Sequence, residues 1–341
     1  MMDKKVLIIG GGPAGIETAY SLALQDVKLV LIEKDADVCG NIKNWDKLFP
    51  DFKNASEVRE KLIRKLEHPN IEIITNTEIT KLYPEGNSWF AKNDAEKIFE
   101  ADAVLLATGF EVFDAKRKEE LGYGIYDNVI TSVDFEKMYK SRKILTSEGR
   151  VPQRIAFLNC VGSRDEKVGN HYCSRVCCIN AVKQAIEFKQ LVPDSKAYCF
   201  YMDMRMAGQF YEELYRKSQE EYGVTYIRGR ISEAAVTMDN RIQIKAEDTL
   251  SALPMKMTVD LLVLMVGIEA SAGTTLLSEQ NNVLGLYGFA KPLGLYSEDN
   301  MTAKSGLFLA GTCKRPLTLP ETLADARSAT TDIIRYLKTT K

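Results

Sequence analysis

Four of the seven cysteines lie between residues 160 and 178, as Cys160, Cys173, Cys177 and Cys178 in the pattern C-x12-C-x3-C-C. Thiolates ligate iron and zinc and exchange disulfides, and in a reducing compartment a group this dense reads as metal or redox chemistry. On spacing alone four readings stay open. A [4Fe–4S] cluster uses all four thiols. Structural zinc also takes four, but usually from paired C-x2–4-C knuckles rather than an adjacent Cys-Cys. A redox disulfide favours C-x-x-C, whereas three residues separate Cys173 from Cys177, and a Cys177–Cys178 bridge would be strained. The fourth reading is inert, packed thiols.

Several elements must position these thiols. The run 154–159 (RIAFLN) is strand-like and delivers Cys160 at its end. A helix expected over 174–189 puts Cys173 at or just before its start, with Cys177 on the same face and Cys178 beside it. A helix N-terminus lowers a thiol pKa, and Arg164, Lys167, Arg175 and Lys183 are nearby cations that would offset a cluster's negative charge. Beyond them come a strand at 196–202, a helix at 208–222, a strand at 224–227 and an alternating antiparallel strand at 241–245. This β-α-β-α-β order is that of a dinucleotide-type domain. Its first turn, however, reads Cys160-Val161-Gly162-Ser163-Arg164 and lacks the glycine cradle for a pyrophosphate. Asp203 and Arg205 stand where an NADPH domain would read the ribose, a minority reading without that cradle.

The N-terminus does carry the cradle. The strand 4–9 runs into Gly10-Gly11-Gly12-Pro13-Ala14-Gly15, a helix pattern follows over 14–24, and the strand 28–32 ends at Glu33-Lys34. Gly10, Gly12 and Gly15 fit G-x-G-x-x-G. In this context the glycines admit a pyrophosphate to the helix N-terminus, and Glu33 accepts from the adenosine ribose. Two later stretches resemble flavoproteins with two dinucleotide domains and favour FAD. One is the Ala107-Thr108-Gly109 turn, the other the strand leading to Gly311-Thr312, where Thr312 replaces the acid that normally contacts the ribityl chain. The helix expected from Pro320 onward offers its positive N-terminus to the flavin pyrimidine. Gly40 and Asn41, after Cys39, are expected beside the flavin diphosphate.

Composition narrows the class. A net charge of −2 lacks the basic excess of a nucleic-acid binder, and the longest apolar runs are strand-sized, too short for a membrane span. The apolar part of the N-terminus is too short for a signal peptide and runs into the glycine motif, so a cytoplasmic location is expected, peripheral to a membrane at most through a complex. The expected fold is α/β, with two Rossmann-like dinucleotide-binding domains of the thioredoxin reductase/glutathione reductase type, the second inserted into the first. Residues 1–150 form the first part of the FAD domain, 151–260 the insertion carrying the cysteines, and 261–341 the C-terminal FAD part.

The segments NCVGSRD, YCSRVCCINAVKQA, YMDMR and YEELYRKSQEEYGVTYIRGR resemble the flavoprotein subunit of heterodisulfide reductase over nearly the whole chain. TCKRPLTLPET is similar to the related flavoprotein of the quinone-interacting membrane-bound oxidoreductase. The resemblance implies that Cys160, Cys173, Cys177 and Cys178 bind one [4Fe–4S] cluster close to FAD. It also implies that Lys183 lies near flavin N5, tuning or protonating it; the alternative is a surface lysine. It implies partner iron–sulfur subunits of a heterodisulfide-reductase-like or quinone-linked complex, ferredoxin-like carriers, and a homodimer. The chain departs from the family in lacking C-x2-C-x2-C-x3-C-P runs, and no cysteine follows Cys39-Gly40-Asn41-Ile42 and Leu48-Phe49-Pro50 in the stretch that comes next. It can therefore hold one cluster at most. The function expected is electron transfer between flavin and partner subunits. A self-contained NAD(P)H-dependent disulfide reductase using Cys173–Cys178 and a non-catalytic FAD-binding docking component are the rivals. Cys39 and Cys199 are expected to be structural and Cys313 packed, with a reactive role near the flavin ring as its alternative; His171 is expected in a solvent loop, with a second-shell donor or proton source as its alternative, and Phe210, Tyr211, Leu214 and Tyr215 in the core or an interface.

Overall fold

The computed structural model describes residues 4–340. The chain divides into two compact units. The first comprises residues up to Lys43, Ser56–Glu111 and Glu269 onward; the second comprises Asn44–Ala55 and Val112–Ile268.

In the first unit a five-stranded parallel sheet has the order Leu307–Leu309, Ala103–Leu106, Lys5–Ile9, Lys28–Ile32, Ile71–Ile74. Its central strands are almost wholly apolar because both faces of the sheet are buried, one of them against an antiparallel sheet. The helix Pro13–Ala23 follows Lys5–Ile9 after three residues, and Gly12 is its N-cap with no side-chain cap. An antiparallel sheet of Ile79–Glu85, Ser88–Asn93 and Ile98–Ala101 completes the unit, so the charged stretch 91–101 is part of a strand hairpin.

The second unit holds another five-stranded parallel sheet, ordered Val129–Thr131, Leu261–Val266, Arg154–Val161, Lys196–Tyr201, Thr225–Arg228. Leu261–Val266 pairs on one side with Arg154–Val161 and on the other with Val129–Thr131, which ties residues 112–150 to this unit. Beside it stands an antiparallel sheet of Ile231–Val236, Ile242–Asp248 and Leu253–Val259. The helix Cys177–Leu191 packs its apolar face into the core with Ala181, Ala185 and Phe188. It begins three residues later than the periodicity predicts, because Arg175 adopts a left-handed backbone (φ 64) that no helix can include. Cys173 therefore lies in the preceding loop, and helical register does not relate it to Cys177.

Among the described residues no helix is long and apolar enough to cross a membrane.

Candidate functional site

The glycine loop of the first unit is built around close approaches. A Cβ on Gly10 (φ 111) would sit 2.3 Å from the Ala107 carbonyl oxygen, and one on Gly15 would sit 2.0 Å from that of Gly10. Gly12 differs: a Cβ there would meet nothing within 4 Å, which leaves open space at the start of a helix whose first amides no side chain caps. Such a position favours an anion. Glu33, buried at the end of its strand, accepts from the Gly11 N–H through Oε2 (2.7 Å) and from the Asp35 N–H through Oε1 (3.0 Å). Each carboxylate oxygen keeps a lone pair for a ribose hydroxyl. Lys34 is exposed. The Cys39 N–H donates to the Gly11 carbonyl, which brings Gly40 to 3.5 Å from the Gly12 Cα (measured from an added Cβ) and sets the half-buried Asn41 next to it.

The two later stretches converge on the same loop. Gly311 (φ 76) lies so close to Ala14 that an added Cβ would stand 2.7 Å from the alanine methyl, and Gly109 (φ 70) faces the Thr312 hydroxyl. Thr108 Oγ1 hydrogen-bonds Thr274 Oγ1 at 2.6 Å. Asp325, on the helix Leu319–Thr339, carries no motif in the sequence, yet its Oδ2 accepts from the Gly311 N–H at 2.6 Å. An acid thus reaches the Gly311-Thr312 turn from elsewhere, although position 312 itself is a threonine. The buried Lys314 bridges Asp325 (2.6 Å) and Asp299 (2.9 Å). Thr318 and Glu321 form a capping box at the start of that helix, and Pro320 contributes no N–H, so the helix dipole more than a set of free amides is what this end offers. These residues fit the adenosine diphosphate half of FAD. Replacing Glu33 with Gln leaves one backbone donor facing an NH2 group. The lost charge-assisted hydrogen bond is worth about 1.5–3 kcal/mol, so FAD affinity, read by flavin fluorescence on the apoprotein, is expected to fall by roughly tenfold or more.

The cysteines gather in the second unit. Cys160 lies within the strand Arg154–Val161 but has φ 62, and pairing with the neighbouring strand slips between Leu158 and Val161. This bulge turns the Cys160 side chain out of the ladder. Three non-glycine residues of the stretch, Cys160, Arg164 and Arg175, are left-handed, a strain that surrounding contacts must offset and that concentrates at functional sites. Cys177 and Cys178 are the first two residues of their helix, both buried. The Cys177 thiol hydrogen-bonds both Cys160 and Cys178. Acting as donor it keeps its own proton, pushed well up, while the Cys160 thiol is lowered and that of Cys178 falls to about 7. Cys173 is half-buried and accepts from the Arg175 N–H at 3.3 Å. It is held by its neighbours: the Tyr172 hydroxyl donates to the Ile268 carbonyl (2.7 Å), and the Ile268 N–H donates to Ser174 Oγ (2.9 Å). The Arg164 guanidinium hydrogen-bonds the Cys160 thiol and lies within electrostatic range of Cys173.

All seven cysteines are free thiols. Among the described residues no three His, Cys, Asp or Glu side chains are gathered about a single ion. Two buried polar atoms flanking Cys160, Asn159 Oδ1 and Ser163 Oγ, have no hydrogen-bond partner, while Asn159 Nδ2 points at Cys178 Sγ (3.9 Å). Unsatisfied buried polar groups of this kind call for an explanation, and a bound inorganic group is one. Four cysteines are the donor type that an iron–sulfur cluster takes, and these four would hold one. Gly162 is essential to the turn, since with φ 76 an added Cβ would fall 1.9 Å from Phe113 Cγ. Gly162→Ala is expected to destabilise the unit by about 1–3 kcal/mol, measured by urea unfolding.

Lys183 is buried (2% exposed) and is no surface lysine. Its Nζ donates to both oxygens of Glu136 (2.9 and 2.8 Å) and to the Lys47 carbonyl (3.0 Å). Glu136 also accepts from Gln184 Nε2 and from the Asp46 N–H. Glu187, one turn on from Lys183, approaches its ammonium at 3.5 Å, yet neither carboxylate oxygen has a hydrogen bond. Burial pushes its carboxyl up to about 8, with Lys183 opposing and Glu136 reinforcing the shift. Glu136 and Glu187 carry no signal in the sequence, because nothing in it brings two helices together. The remaining thiols are buried; desolvation raises Cys39 to about 11 and Cys313 to about 12, and pushes Cys199 up as well. Tyr211 and Leu214 pack beside Cys178 as expected, whereas Phe210 is exposed.

The family model for pyridine nucleotide-disulphide oxidoreductases matches residues 4–156. Thioredoxin reductases share the fold: that of Lactococcus lactis superposes with a TM-score of 0.71 at 16% identity, covering 99% of this chain and 100% of its own. That of T. acidophilum gives 0.68 at 14%, covering 99% of each. Among curated relatives, a component of the H(2)/formate:CoB-CoM heterodisulfide,ferredoxin reductase of Methanococcus maripaludis is 31% identical over 96% of this chain. An iron-sulfur subunit of the CoB--CoM heterodisulfide reductase of Methanopyrus kandleri is 31% identical over 97%. The chain spans only 63% and 64% of these two relatives. The first alignment runs over 416 positions against 341 residues here, so the relative carries inserted residues within the matched region. With its glycine cradle, its thioredoxin reductase-like fold and this similarity along nearly its whole length, the chain is a relative of the A subunits of heterodisulfide reductases.

Proposed function

We propose that this flavin-dependent oxidoreductase is an electron-transfer subunit that binds FAD in its first unit and one [4Fe–4S] cluster on Cys160, Cys173, Cys177 and Cys178 in its second. FAD supplies interchange between electron pairs and single electrons, and an iron–sulfur cluster supplies one-electron exchange. The chain's own part is to hold these groups. Gly12 and the helix behind it receive the diphosphate, and Glu33 orients the ribose. The Cys160 and Cys178 thiols are both lowered from their ordinary value, chiefly by the hydrogen bonds of Cys177, and Arg164 lies close enough to act on them electrostatically. Lys183, expected from the family resemblance to act on the flavin, is held by Glu136 so that its ammonium keeps one direction.

The observation that carries this reading is the grouping of Cys160, Cys177 and Cys178, with Cys173 on the loop that leads into the same helix, beside the orphaned polar atoms of Asn159 and Ser163. The relative from Methanopyrus kandleri is named an iron-sulfur subunit, which supports it. The setting that fits best is a heterodisulfide-reductase-like or quinone-linked complex, in which partner subunits or ferredoxin-like carriers exchange the electrons. Anaerobically purified and reconstituted protein should contain about four irons per chain and show a reduced-cluster EPR signal; a preparation with FAD but no iron would sink the proposal. The Cys178 thiol near 7 resembles that of a reactive dithiol and favours, as a second reading, an NAD(P)H-dependent disulfide reductase using Cys173 and Cys178. Rapid bleaching of the flavin by NADPH alone, without iron, would support that reading.

A further inference from the structure

Buried charges clamp the Gly311-Thr312 turn of the first unit. Asp325 Oδ2 accepts from the Gly311 N–H (2.6 Å), and Asp325 Oδ1 accepts from Lys314 Nζ (2.6 Å) and from Asn300 Nδ2 (3.0 Å). Asn300 Nδ2 also donates to the Leu309 carbonyl (2.9 Å), and the Leu309 N–H donates to the Asn300 carbonyl (2.9 Å). Lys314, whose side chain is fully buried, donates to the carboxylate and to the carbonyl of Asp299, both at 2.9 Å. Arg315 Nη1 holds Asp299 in turn (2.7 Å). Gly311 itself packs against Ala14, too close for any side chain. A buried polar network satisfied in this way leaves the turn a single arrangement.

One polar group inside that frame is left over. Thr312 is 8% exposed, yet among the described residues its hydroxyl has no hydrogen-bond partner. It faces Gly109, which has a left-handed backbone and no side chain to fill the space between them. A buried hydroxyl without a partner is a cost that valine, of the same shape, would remove. Its place says what it waits for. On one side of the turn is Ala14, at the helix start where Gly12 leaves room for a diphosphate; on the other begins the helix Leu319–Thr339, whose positive end is offered to the flavin ring.

We propose that Asp325 is a positioning residue for FAD: by holding the Gly311 N–H it presents the Thr312 hydroxyl to the polar chain that links the diphosphate to the flavin ring. The inference rests on the FAD reading of the first unit and names the residues that hold the middle of the cofactor. Position 312 carries no acid, and the carboxylate that reaches this turn comes from the following helix. Both oxygens of that carboxylate are engaged by Gly311, Lys314 and Asn300, so Asp325 fixes the turn and leaves the contact to a neutral hydroxyl. A hydroxyl donates as well as accepts, whereas a carboxylate only accepts, so Thr312 can meet a ribityl hydroxyl in either sense.

The test measures FAD affinity on the apoprotein by flavin fluorescence and apoprotein stability by urea unfolding. Thr312→Val keeps the shape and removes the hydroxyl. FAD affinity should fall about three- to tenfold, while the apoprotein stays as stable as the wild type or gains stability, because the hydroxyl has no protein partner to lose. Thr312→Ser should bind FAD nearly as the wild type does. Asp325→Ala should also weaken FAD binding, and its combination with Thr312→Val should lose less than the product of the two separate losses, because Asp325 acts through Thr312. Asp325→Asn, which only weakens the bond to the Gly311 N–H, takes its place in the cycle should the alanine variant not fold. Unchanged FAD affinity in Thr312→Val would overturn the inference. Losses that simply multiply would make Asp325 a structural residue and overturn its positioning role. A wild-type protein that takes up no flavin would instead remove the FAD reading itself.

Discussion

Lys183→Ala is expected to destabilise the second unit by about 3–5 kcal/mol, because it strips the counter-charge from a buried pair of carboxyl groups. Lys183 and Glu136 are both within 4% of full side-chain burial, and Glu187 has no solvent contact. For a cooperative unit of this size the loss corresponds to a fall in Tm of ~6–20 °C. The pH dependence gives the prediction a second readout. Glu187 titrates near 8 in the folded chain, above its ordinary carboxyl value, so the folded state holds more protons than the unfolded state between those two values. The difference in bound protons, unfolded minus folded, is negative there, and stability falls as pH rises through that window. It is fully present below the ordinary carboxyl range and lost above about 8. Lys183, Glu136 and Asp46 act on Glu187 directly, and Tyr139 and Arg142 also face it. Removing Lys183 should therefore widen the deficit toward alkaline pH, and Glu187→Gln should flatten the slope. Urea unfolding at acidic and alkaline pH checks both; a deficit in Lys183→Ala that does not grow with pH would mean that Glu187 is not ionising in the folded chain.

Cys177→Ser is expected to abolish iron binding while leaving FAD in place. Cys177 is the thiol that touches both Cys160 and Cys178, so its loss breaks the set at its centre. A serine hydroxyl is a poor substitute for a thiolate, because its proton does not leave near neutral pH. The glycine loop, Glu33 and Asp325, which hold the diphosphate, the ribose and the Gly311-Thr312 turn, all belong to the other unit. Visible absorption and iron analysis should show an unchanged flavin spectrum with the iron gone. Parallel loss of both groups would mean that the two units do not bind their cofactors independently.

The glycine cradle, the strands around it and the four cysteines are legible in the sequence because each is a local pattern. G-x-G-x-x-G, apolar strand runs and adjacent thiols are all written within a few tens of residues. The start of the cysteine-bearing helix is less legible. Periodicity places it near Ser174, but the left-handed Arg175 delays it to Cys177, and left-handed backbone at an arginine leaves no mark in composition. Lys183 shows the limit most clearly. By sequence it is either a flavin neighbour or a surface lysine; in the fold it is sealed against Glu136 of one helix and Glu187 of its own. Likewise Asp325 supplies a carboxylate at the turn where Thr312 stands in place of one, from 14 residues further along the chain.

The sequence by itself therefore determined the class of chemistry, an FAD cradle and a four-thiol site on α/β frames, because residue type and short spacing carry that information. Only the tertiary structure decided that the Cys177 thiol sits between those of Cys160 and Cys178, and which acids bury with Lys183. Those arrangements depend on contacts between residues tens of positions apart, and only the packed parallel sheet brings them together.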